Sequence, residues 1–189
     1  MDPDLAYLLG AAGDASAIYN PKKNEYYIEY WQKVPEWLKK SVKRRVAKIY
    51  KKKRLKVRSK KGGLFMLRFY SKEAYHRFKE FERNPAQILK EPINVQLHYL
   101  RGFFDAEGSA PRFRSRCHRI VIYQKDRKYL RILLKILENV GIPTGKLTNS
   151  RDVGILPVNR RENVAKFARI VKPEHPAKKI ALQLMLSAC

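Results

Sequence analysis

The sequence predicts an α+β protein built from two similar halves, and three observations support that prediction. A Tyr-Leu-X-Gly segment occurs twice, at residues 7–10 and 99–102, and small and acidic residues follow each copy. Downstream of each copy, an alternating aromatic and aliphatic run ends in Gln-Lys, at residues 32–33 and 124–125. The glycine and the glutamine are 22 residues apart in both halves. Features repeated in one order at one spacing indicate an internal structural repeat.

In the first half, the Tyr-Leu-X-Gly segment belongs to a helix-like stretch, residues 5–16. Alternating runs then predict strands over 17–21 and 26–32, and an amphipathic pattern predicts a helix over 35–50. Two basic strands are expected over 54–58 and 64–70, joined by the turn Lys60-Lys61-Gly62-Gly63. Ser71 is a suitable N-cap for the helix that follows.

The second half repeats this order after the helix-like stretch 97–109. Strands are predicted over 110–116 and 118–124, and a helix over 126–140 that Gly141-Ile142-Pro143 terminates. Further strands are predicted over 146–149 and 153–158, followed by a helix over 160–170. The join, 84–95, is short and contains two prolines, so the halves should pack together. We therefore divide the chain into 1–94 and 95–189.

The charge of the chain predicts a polyanionic partner. There are 42 Lys and Arg against 17 Asp and Glu among 189 residues, a net charge of +25, while 44% hydrophobic residues allow a packed core. Nucleic acid is the default partner for such a domain. A membrane is not expected as a partner, because no stretch approaches the ~20 apolar residues of a spanning helix. Without a signal peptide or a cysteine framework, the expected location is intracellular, cytoplasmic or nucleoid.

Residues 100–109, LRGFFDAEGS, resemble the LAGLIDADG motif, and residues 8–16, LLGAAGDAS, resemble a less regular copy. In the first copy Ala15 stands where the motif has glycine, and the early glycine is Gly10. With the repeat around them, these segments make the whole chain similar to the LAGLIDADG homing endonucleases. The resemblance is to the single-chain, two-motif type that introns encode.

The resemblance implies two pseudo-symmetric αββαββα halves whose antiparallel sheets form a saddle over DNA. The motif helices would pack side by side through small residues, namely Gly10, Ala11, Gly13, Gly102 and Ala106. Each helix would end in an acid, Asp14 or Glu107, that binds a divalent metal, normally Mg²⁺, beside the scissile phosphate. Ala15 and Ala106 are assigned to the same metal site, whereas Asp105 is expected to be structural.

Four further residues are predicted to assist catalysis. Gln32 and Gln124 match positions where the family orients water near the metals, and Lys33 and Lys125 match basic positions that stabilise developing negative charge. Each has a simpler alternative interpretation. The glutamines could be ordinary strand-end residues, and the lysines could be two solvated surface residues among 42 basic ones.

The predicted DNA contacts lie on the strands. Arg112, Arg114 and Arg116 alternate and so share one strand face, as do Lys56 and Arg58. Such a face can enter the major groove, although many of its contacts would reach only phosphates. The DNA-contacting set is completed by Arg68, Tyr27, Glu29 and Ser109. The basic residues of the helix after the second strand, in contrast, are expected to form a solvated surface: Lys39, Lys40, Lys43, Arg44, Arg45 and Lys48.

The resulting hypothesis is a monomeric, site-specific DNA endonuclease. It would make a Mg²⁺-dependent double-strand cut in a long target and so initiate intron mobility, with intron RNA as a further candidate partner. The alternative is a catalytically weak DNA- or RNA-binding protein of the same fold, an intron maturase or a regulator. A purely structural, ribosome-associated basic protein would explain the charge but not the repeat.

Overall fold

The structure is a computed structural model that describes residues 1–110 and 118–187. It contains two four-stranded antiparallel sheets with equivalent strand orders, β1-β2-β4-β3 and β5-β6-β8-β7. In each, the second strand along the chain pairs with the first and the fourth, and the third lies at the edge. The predicted α+β architecture with two pseudo-symmetric sheets is confirmed.

The first half follows the order αββαββα. Its elements are α1 (Pro3–Gly10), β1 (Ala15–Asn20), β2 (Glu25–Gln32), α2 (Pro35–Trp37), α3 (Lys43–Ile49), β3 (Val57–Ser59), β4 (Phe65–Tyr70) and α4 (Lys72–Arg83). A π-helical turn, Leu38–Val42, joins α2 to α3, so the predicted helix 35–50 corresponds to one continuous helical run. The Ser71 hydroxyl accepts a hydrogen bond from the Ala74 N–H, which confirms the predicted N-cap of α4.

The second half has the same order and one additional helix. Its elements are α5 (Ile93–Glu107), β5 (Gly108–Ser109), β6 (Arg119–Gln124), α6 (Arg127–Asn139), β7 (Thr148–Ser150), β8 (Val153–Asn159), α7 (Arg161–Val171) and α8 (Pro176–Ser187). The Asp126 carboxylate caps α6, and Gly141, with φ of 66°, follows its end as predicted. Residues 111–116 of the predicted strand 110–116 lie outside the described residues.

Two details of the first half differ from the sequence prediction. The third strand begins at Val57 rather than at residue 54, and Lys56 precedes it, whereas Leu55 is buried in the core. Arg45 does not belong to a solvated surface, because only 1% of it is exposed. Its guanidinium forms two hydrogen bonds with Glu174, at 2.8 and 2.6 Å, and lies 3.7 Å from the centre of the Tyr7 ring. Charge alone did not reveal this buried ion pair.

The two halves meet through α1 and α5, which pack with their backbones in contact. A Cβ atom on Gly10 would lie 2.1 Å from the Tyr99 carbonyl oxygen, and one on Gly102 would lie 2.1 Å from the Tyr7 carbonyl oxygen. These reciprocal contacts exclude any side chain at either position. They confirm the small-residue contact predicted for the two glycines, and they place the pseudo-twofold axis between the motif helices.

The join between the halves is a 3-10 turn over Pro85–Lys90, after which α5 begins at Ile93. The division at residues 94 and 95 stays a prediction. No helix within the described ranges is both long and apolar enough to cross a membrane.

Candidate active site between the two motif helices

Asp14 reaches the site although the first motif is one residue shorter than the second. Asp14 is four positions after Gly10, whereas Glu107 is five positions after Gly102. In the first motif these residues, Ala11–Asp14, form a 3-10 helix, while α5 stays α-helical through Glu107. Four 3-10 residues rise about 8 Å and turn about 480°, and five α-helical residues rise about 7.5 Å and turn about 500°. The tighter winding therefore compensates for the missing residue.

The two acids meet at the ends of the motif helices. A Cβ atom on Gly13 would lie 2.1 Å from Oε1 of Glu107, so the carboxylate of the second motif lies against the backbone next to Asp14. Asp14 is immediately followed by β1 and Glu107 by β5, so each acid stands where a motif helix passes into its sheet. One carboxylate from each half is thus placed at the pseudo-twofold axis.

The two Gln-Lys pairs adopt the same local geometry. In each pair the glutamine Oε1 accepts a hydrogen bond from the lysine backbone N–H, at 2.7 Å for both Gln32 and Gln124. The Nε2 of Gln32 also donates to Oδ2 of Asp14 at 2.8 Å. Gln124 and Lys125 line one depression together with Glu107. The structure therefore brings each pair next to an acid, with both lysine side chains exposed.

Lys178 supplies a positive charge that acts on both acids. Its Nζ donates to the carbonyl oxygens of Phe104, Asp105 and Ala106, at 2.8, 2.6 and 2.9 Å. The carbonyl of Ala106, which was assigned to the metal site, therefore already has a cationic partner. Lys178 is not among the residues predicted from the sequence, since nothing local distinguishes it among 42 basic residues.

The carboxylates lie in partly desolvated surroundings. Burial, and next the neighbouring Glu107 carboxylate, raise the pKa of Asp14 to about 7, while Lys178 and the Gln32 amide oppose the shift. Burial also raises the pKa of Glu107, against the effect of Lys178. Burial lowers the pKa of Lys178 to about 8, although Asp105, Asp14 and Glu107 act in the opposite direction. Burial is the largest cause of all three shifts, and shifts of this kind are common at functional sites.

These residues suit a magnesium ion that is bound partly by water and substrate phosphate, rather than a metal bound by protein ligands alone. Within residues 1–110 and 118–187, no cluster of three or more His, Cys, Asp or Glu could hold a metal. Mg²⁺ is usually bound by one or two carboxylates, with water and substrate phosphate completing its octahedron. Asp14 and Glu107 offer two such carboxylates, and Ala15 adjoins Asp14 at the start of β1. The donor set matches a metal that is held jointly with nucleic acid.

Asp105, the other acid of the second motif, is structural as predicted. It is fully buried, and its carboxylate accepts hydrogen bonds from the Tyr7 hydroxyl, at 2.6 Å, and from the backbone N–H groups of Glu174 and His175. The Trp37 indole N–H donates to the same Tyr7 hydroxyl at 2.8 Å. Asp105 thus ties the first half to the segment before α8, and its oxygens are not available to a metal.

The first sheet presents a polar face opposite its buried one. Ile28, Tyr30, Leu67 and Phe69 fill the core side. On the other face Glu29 pairs across the strands with Arg68, and the Arg68 guanidinium lies 4.7 Å from the centre of the Tyr27 ring. The register places Arg58 on the same face, opposite Met66.

The remaining predicted DNA contacts have mixed positions. Ser109 is exposed and pairs with Val121 in the second sheet. Lys56 is exposed but lies outside the sheet, so it does not share a strand face with Arg58 as predicted. Arg112, Arg114 and Arg116 lie outside the described residues.

Comparison with known proteins agrees with this fold. A family model described as a LAGLIDADG-like domain matches residues 94–172. The chain is 27% identical over 198 residues to the homing endonuclease I-ApeI of Aeropyrum pernix, an alignment that covers 96% of this chain and 86% of the relative.

Solved structures show the same fold. A structure of mesophilic variants of the homing endonuclease I-DmoI matches with a TM-score of 0.72 and 23% identity, covering 96% of this chain and 97% of that one. The N-terminal LAGLIDADG domain of DUF199/WhiA matches with a TM-score of 0.60 and 15% identity, covering 94% and 85%. The fold and the paired motif helices are similar to those of LAGLIDADG proteins, and residues 94–172 match the model of that family. Over its whole length the chain has the single-chain, two-sheet fold of I-DmoI.

Proposed function

We propose that the chain is a site-specific homing endonuclease that makes a Mg²⁺-dependent double-strand cut in a long DNA target and so initiates intron mobility. The observation that carries the proposal is the meeting of Asp14 and Glu107, one acid from each half, at the ends of the two motif helices. Two strands must be cut, and each half supplies one acid. A monomer is therefore sufficient for the reaction.

The names of related proteins support the same activity. I-ApeI is a homing endonuclease, and I-DmoI has been crystallised in complex with DNA and Mn, and in complex with DNA and Ca. A divalent cation bound by the acids would neutralise phosphate charge and lower the pKa of a bound water. Mg²⁺ is our choice among such cations because two carboxylates plus phosphate suit it.

The protein groups around the acids have separate tasks in this proposal. The Gln32 amide N–H holds one oxygen of Asp14 and leaves the other for a metal. The side chains of Lys33 and Lys125 are exposed and follow the two glutamines, and they would stabilise the charge that develops on the phosphate. Gln124, which lines the depression at Glu107, would orient water there.

The sheet faces would bind the duplex. A net charge of +25 would supply affinity that depends on salt, and Arg58, Arg68 and Tyr27 on the open face of the first sheet would contact the groove or the backbone. Glu29, held by Arg68, would accept a hydrogen bond from a cytosine amino group only if that ion pair opens. Ser109 has the corresponding place on the second sheet.

One observation favours a second candidate, a DNA- or RNA-binding protein of this fold that cuts weakly. The ammonium of Lys178 already donates a hydrogen bond to the carbonyl oxygen of Ala106, beside the two acids. A cation fixed there reduces the need for a metal. This candidate predicts specific binding without cleavage, and intron RNA is then a suitable ligand.

The test is cleavage of a plasmid that carries the joined flanking sequences of the host intron. Wild type, Asp14→Asn and Glu107→Gln are compared in Mg²⁺, in Ca²⁺ and in EDTA. We expect one linear product with Mg²⁺ and wild type, and its loss in EDTA. Each acid variant should lose at least about 100-fold in rate, because each removes one metal ligand.

Glu138→Gln is the matched control, because it makes the same chemical change away from the site. Glu138 is exposed near the end of helix α6. This variant should cut like wild type. If wild type binds the target specifically without cutting it, and Glu107→Gln binds equally well, the endonuclease proposal is wrong and the chain is a binding protein.

A further inference from the structure

Helix α8 delivers one lysine to the carbonyl end of motif helix α5. The three hydrogen bonds from Lys178 Nζ to Phe104, Asp105 and Ala106 use all three donors of the ammonium. The last carbonyls of a helix have no partner within the helix and carry the negative end of its dipole. The ammonium is therefore fixed in a cage of backbone oxygens, one residue before Glu107.

A second set of hydrogen bonds, donated by the backbone just before α8 to a side chain of α5, also fixes the position of Lys178. Asp105 of α5 accepts hydrogen bonds from the backbone N–H groups of Glu174 and His175, directly before α8 begins. One turn later, Lys178 returns to the carbonyls of α5. The motif helix thus binds the start of α8, and α8 binds the end of the motif helix. Lys178 cannot leave without breaking this reciprocal clamp.

The cage lies beside the acids as well as the helix end. Lys178 is close enough to act electrostatically on both Asp14 and Glu107, the two carboxylates that approach each other across the pseudo-twofold axis. Its charge therefore opposes the repulsion between them. It would also repel any cation that the same two carboxylates bind.

We infer that Lys178 is a positioning residue of the two-carboxylate centre: it holds Asp14 and Glu107 together before a metal binds, and its charge weakens metal binding. The metal half of this inference rests on the proposed function, which assigns the cation to those carboxylates. The C-terminal helix α8 is then part of the active centre, and the lysine acts as an internal counter-ion that limits metal affinity in the absence of DNA.

Manganese binding tests the metal half. Free Mn²⁺ is measured by electron paramagnetic resonance in titrations of wild type, Lys178→Met and Lys179→Met, without DNA. Methionine keeps the length of the side chain and removes the charge. Lys179 is the control, since it is exposed on the same helix. We expect Lys178→Met to bind Mn²⁺ about fivefold tighter or more, and Lys179→Met to bind like wild type. An equal or weaker affinity of Lys178→Met overturns the inference.

A double-mutant cycle in EDTA tests the metal-free half. Urea unfolding is measured for wild type, Lys178→Met, Glu107→Gln and the double variant. If Lys178 counters the carboxylate charge, Lys178→Met lowers the folding equilibrium constant at least fivefold more in the wild-type background than in the Glu107→Gln background. Equal losses in the two backgrounds would mean that Lys178 only caps α5. A Lys178→Met chain that folds only with Glu107→Gln also supports the inference, whereas one that fails to fold in both backgrounds contradicts it.

The two experiments separate the inference from the proposed function. If wild type and Glu107→Gln bind Mn²⁺ equally, the metal site of the proposed function is wrong. The cycle in EDTA contains no metal, so it still decides whether Lys178 holds the carboxylates. If wild type binds Mn²⁺ through Glu107 and Lys178→Met does not differ, the endonuclease proposal stands and the inference about Lys178 fails.

Discussion

Replacing Gly102 with alanine should force the two motif helices apart. A Cβ atom there would lie 2.1 Å from the carbonyl oxygen of Tyr7, 2.9 Å from its carbonyl carbon and 3.1 Å from the backbone nitrogen of Ala11. Carbon–oxygen contacts between packed helices are about 3.3 Å or longer. All three neighbours are backbone atoms, so no side-chain rotation can relieve the clash. Helices α1 and α5 would have to separate by roughly 1 Å.

Two opposing terms set the magnitude of the loss. Adding a methyl group to a well-packed contact costs about 1–3 kcal/mol and occasionally more. Alanine gains about 1 kcal/mol over glycine in helix propensity. Because the clash here is with rigid backbone, we expect the steric term to exceed its usual range and the net loss to be about 2–3 kcal/mol. For a chain of 189 residues, that lowers Tm by roughly 4–12 °C.

Thermal unfolding followed by circular dichroism measures this effect. Gly10→Ala should lose a similar amount, since its Cβ would lie 2.1 Å from the Tyr99 carbonyl oxygen. Gly13→Ala is the contrasting variant, because the three atoms nearest to its new methyl group all belong to the side chain of Glu107, which can move. An unchanged Tm in both Gly102→Ala and Gly10→Ala would refute the backbone contact and, with it, the placement of the acids. A separation of 1 Å should also lower the cleavage rate about 100-fold.

Three further predictions concern the site and its supports. Gly13→Ala should stay folded but weaken Mn²⁺ binding about 10-fold or more, because it displaces the Glu107 carboxylate; titration of free Mn²⁺ measures this, and unchanged binding would argue against the contact. Glu174→Gln should cost about 2–3 kcal/mol in urea unfolding at pH 7, since Arg45 is 1% exposed and loses one of its two anionic partners, Asp4 being the other. Burial raises the pKa of Glu174, but the hydrogen bonds and charge of Arg45 outweigh burial and lower the pKa to about 2. The stabilisation by Glu174 is therefore present above about pH 4.5 and is lost as the pH falls toward 2. A difference between wild type and Glu174→Gln that stays constant from pH 5 to pH 2.5 would contradict that assignment. Arg68→Ala should weaken binding of a duplex and reduce the salt slope by about 0.9, provided that Arg68 contacts a phosphate; an unchanged slope in filter binding would exclude this contact.

The sequence alone determined the repeat, the secondary-structure order and the two acids. These properties depend on patterns that are local along the chain: the alternation of β2 and β6, the N-cap Ser71, the stop at Gly141, and the spacing of 22 residues in both halves. A structural role for Asp105 was also predictable, because the resemblance separates it from the acid at the helix end. Most of the element order therefore followed from the residues themselves.

Only the tertiary structure decided how the shorter first motif delivers its acid. From the sequence, Asp14 stands one residue too early relative to Gly10. The choice of a 3-10 helix for Ala11–Asp14 follows from the packing of Gly10 against α5, which fixes where the turn must begin. Helical winding is a response to this contact, and so it cannot be deduced from propensities along the first motif.

Charge shows the same limit. The excess of basic residues predicted a polyanionic partner, but not which basic residues are buried. Arg45 pairs with Glu174, 129 residues away, and Lys178 reaches Ala106, 72 residues away. Burying a charge is costly unless a partner and hydrogen bonds compensate, and here those partners come from distant segments. The sequence thus set the total charge and the candidate acids, whereas long-range packing decided which cation lies beside them.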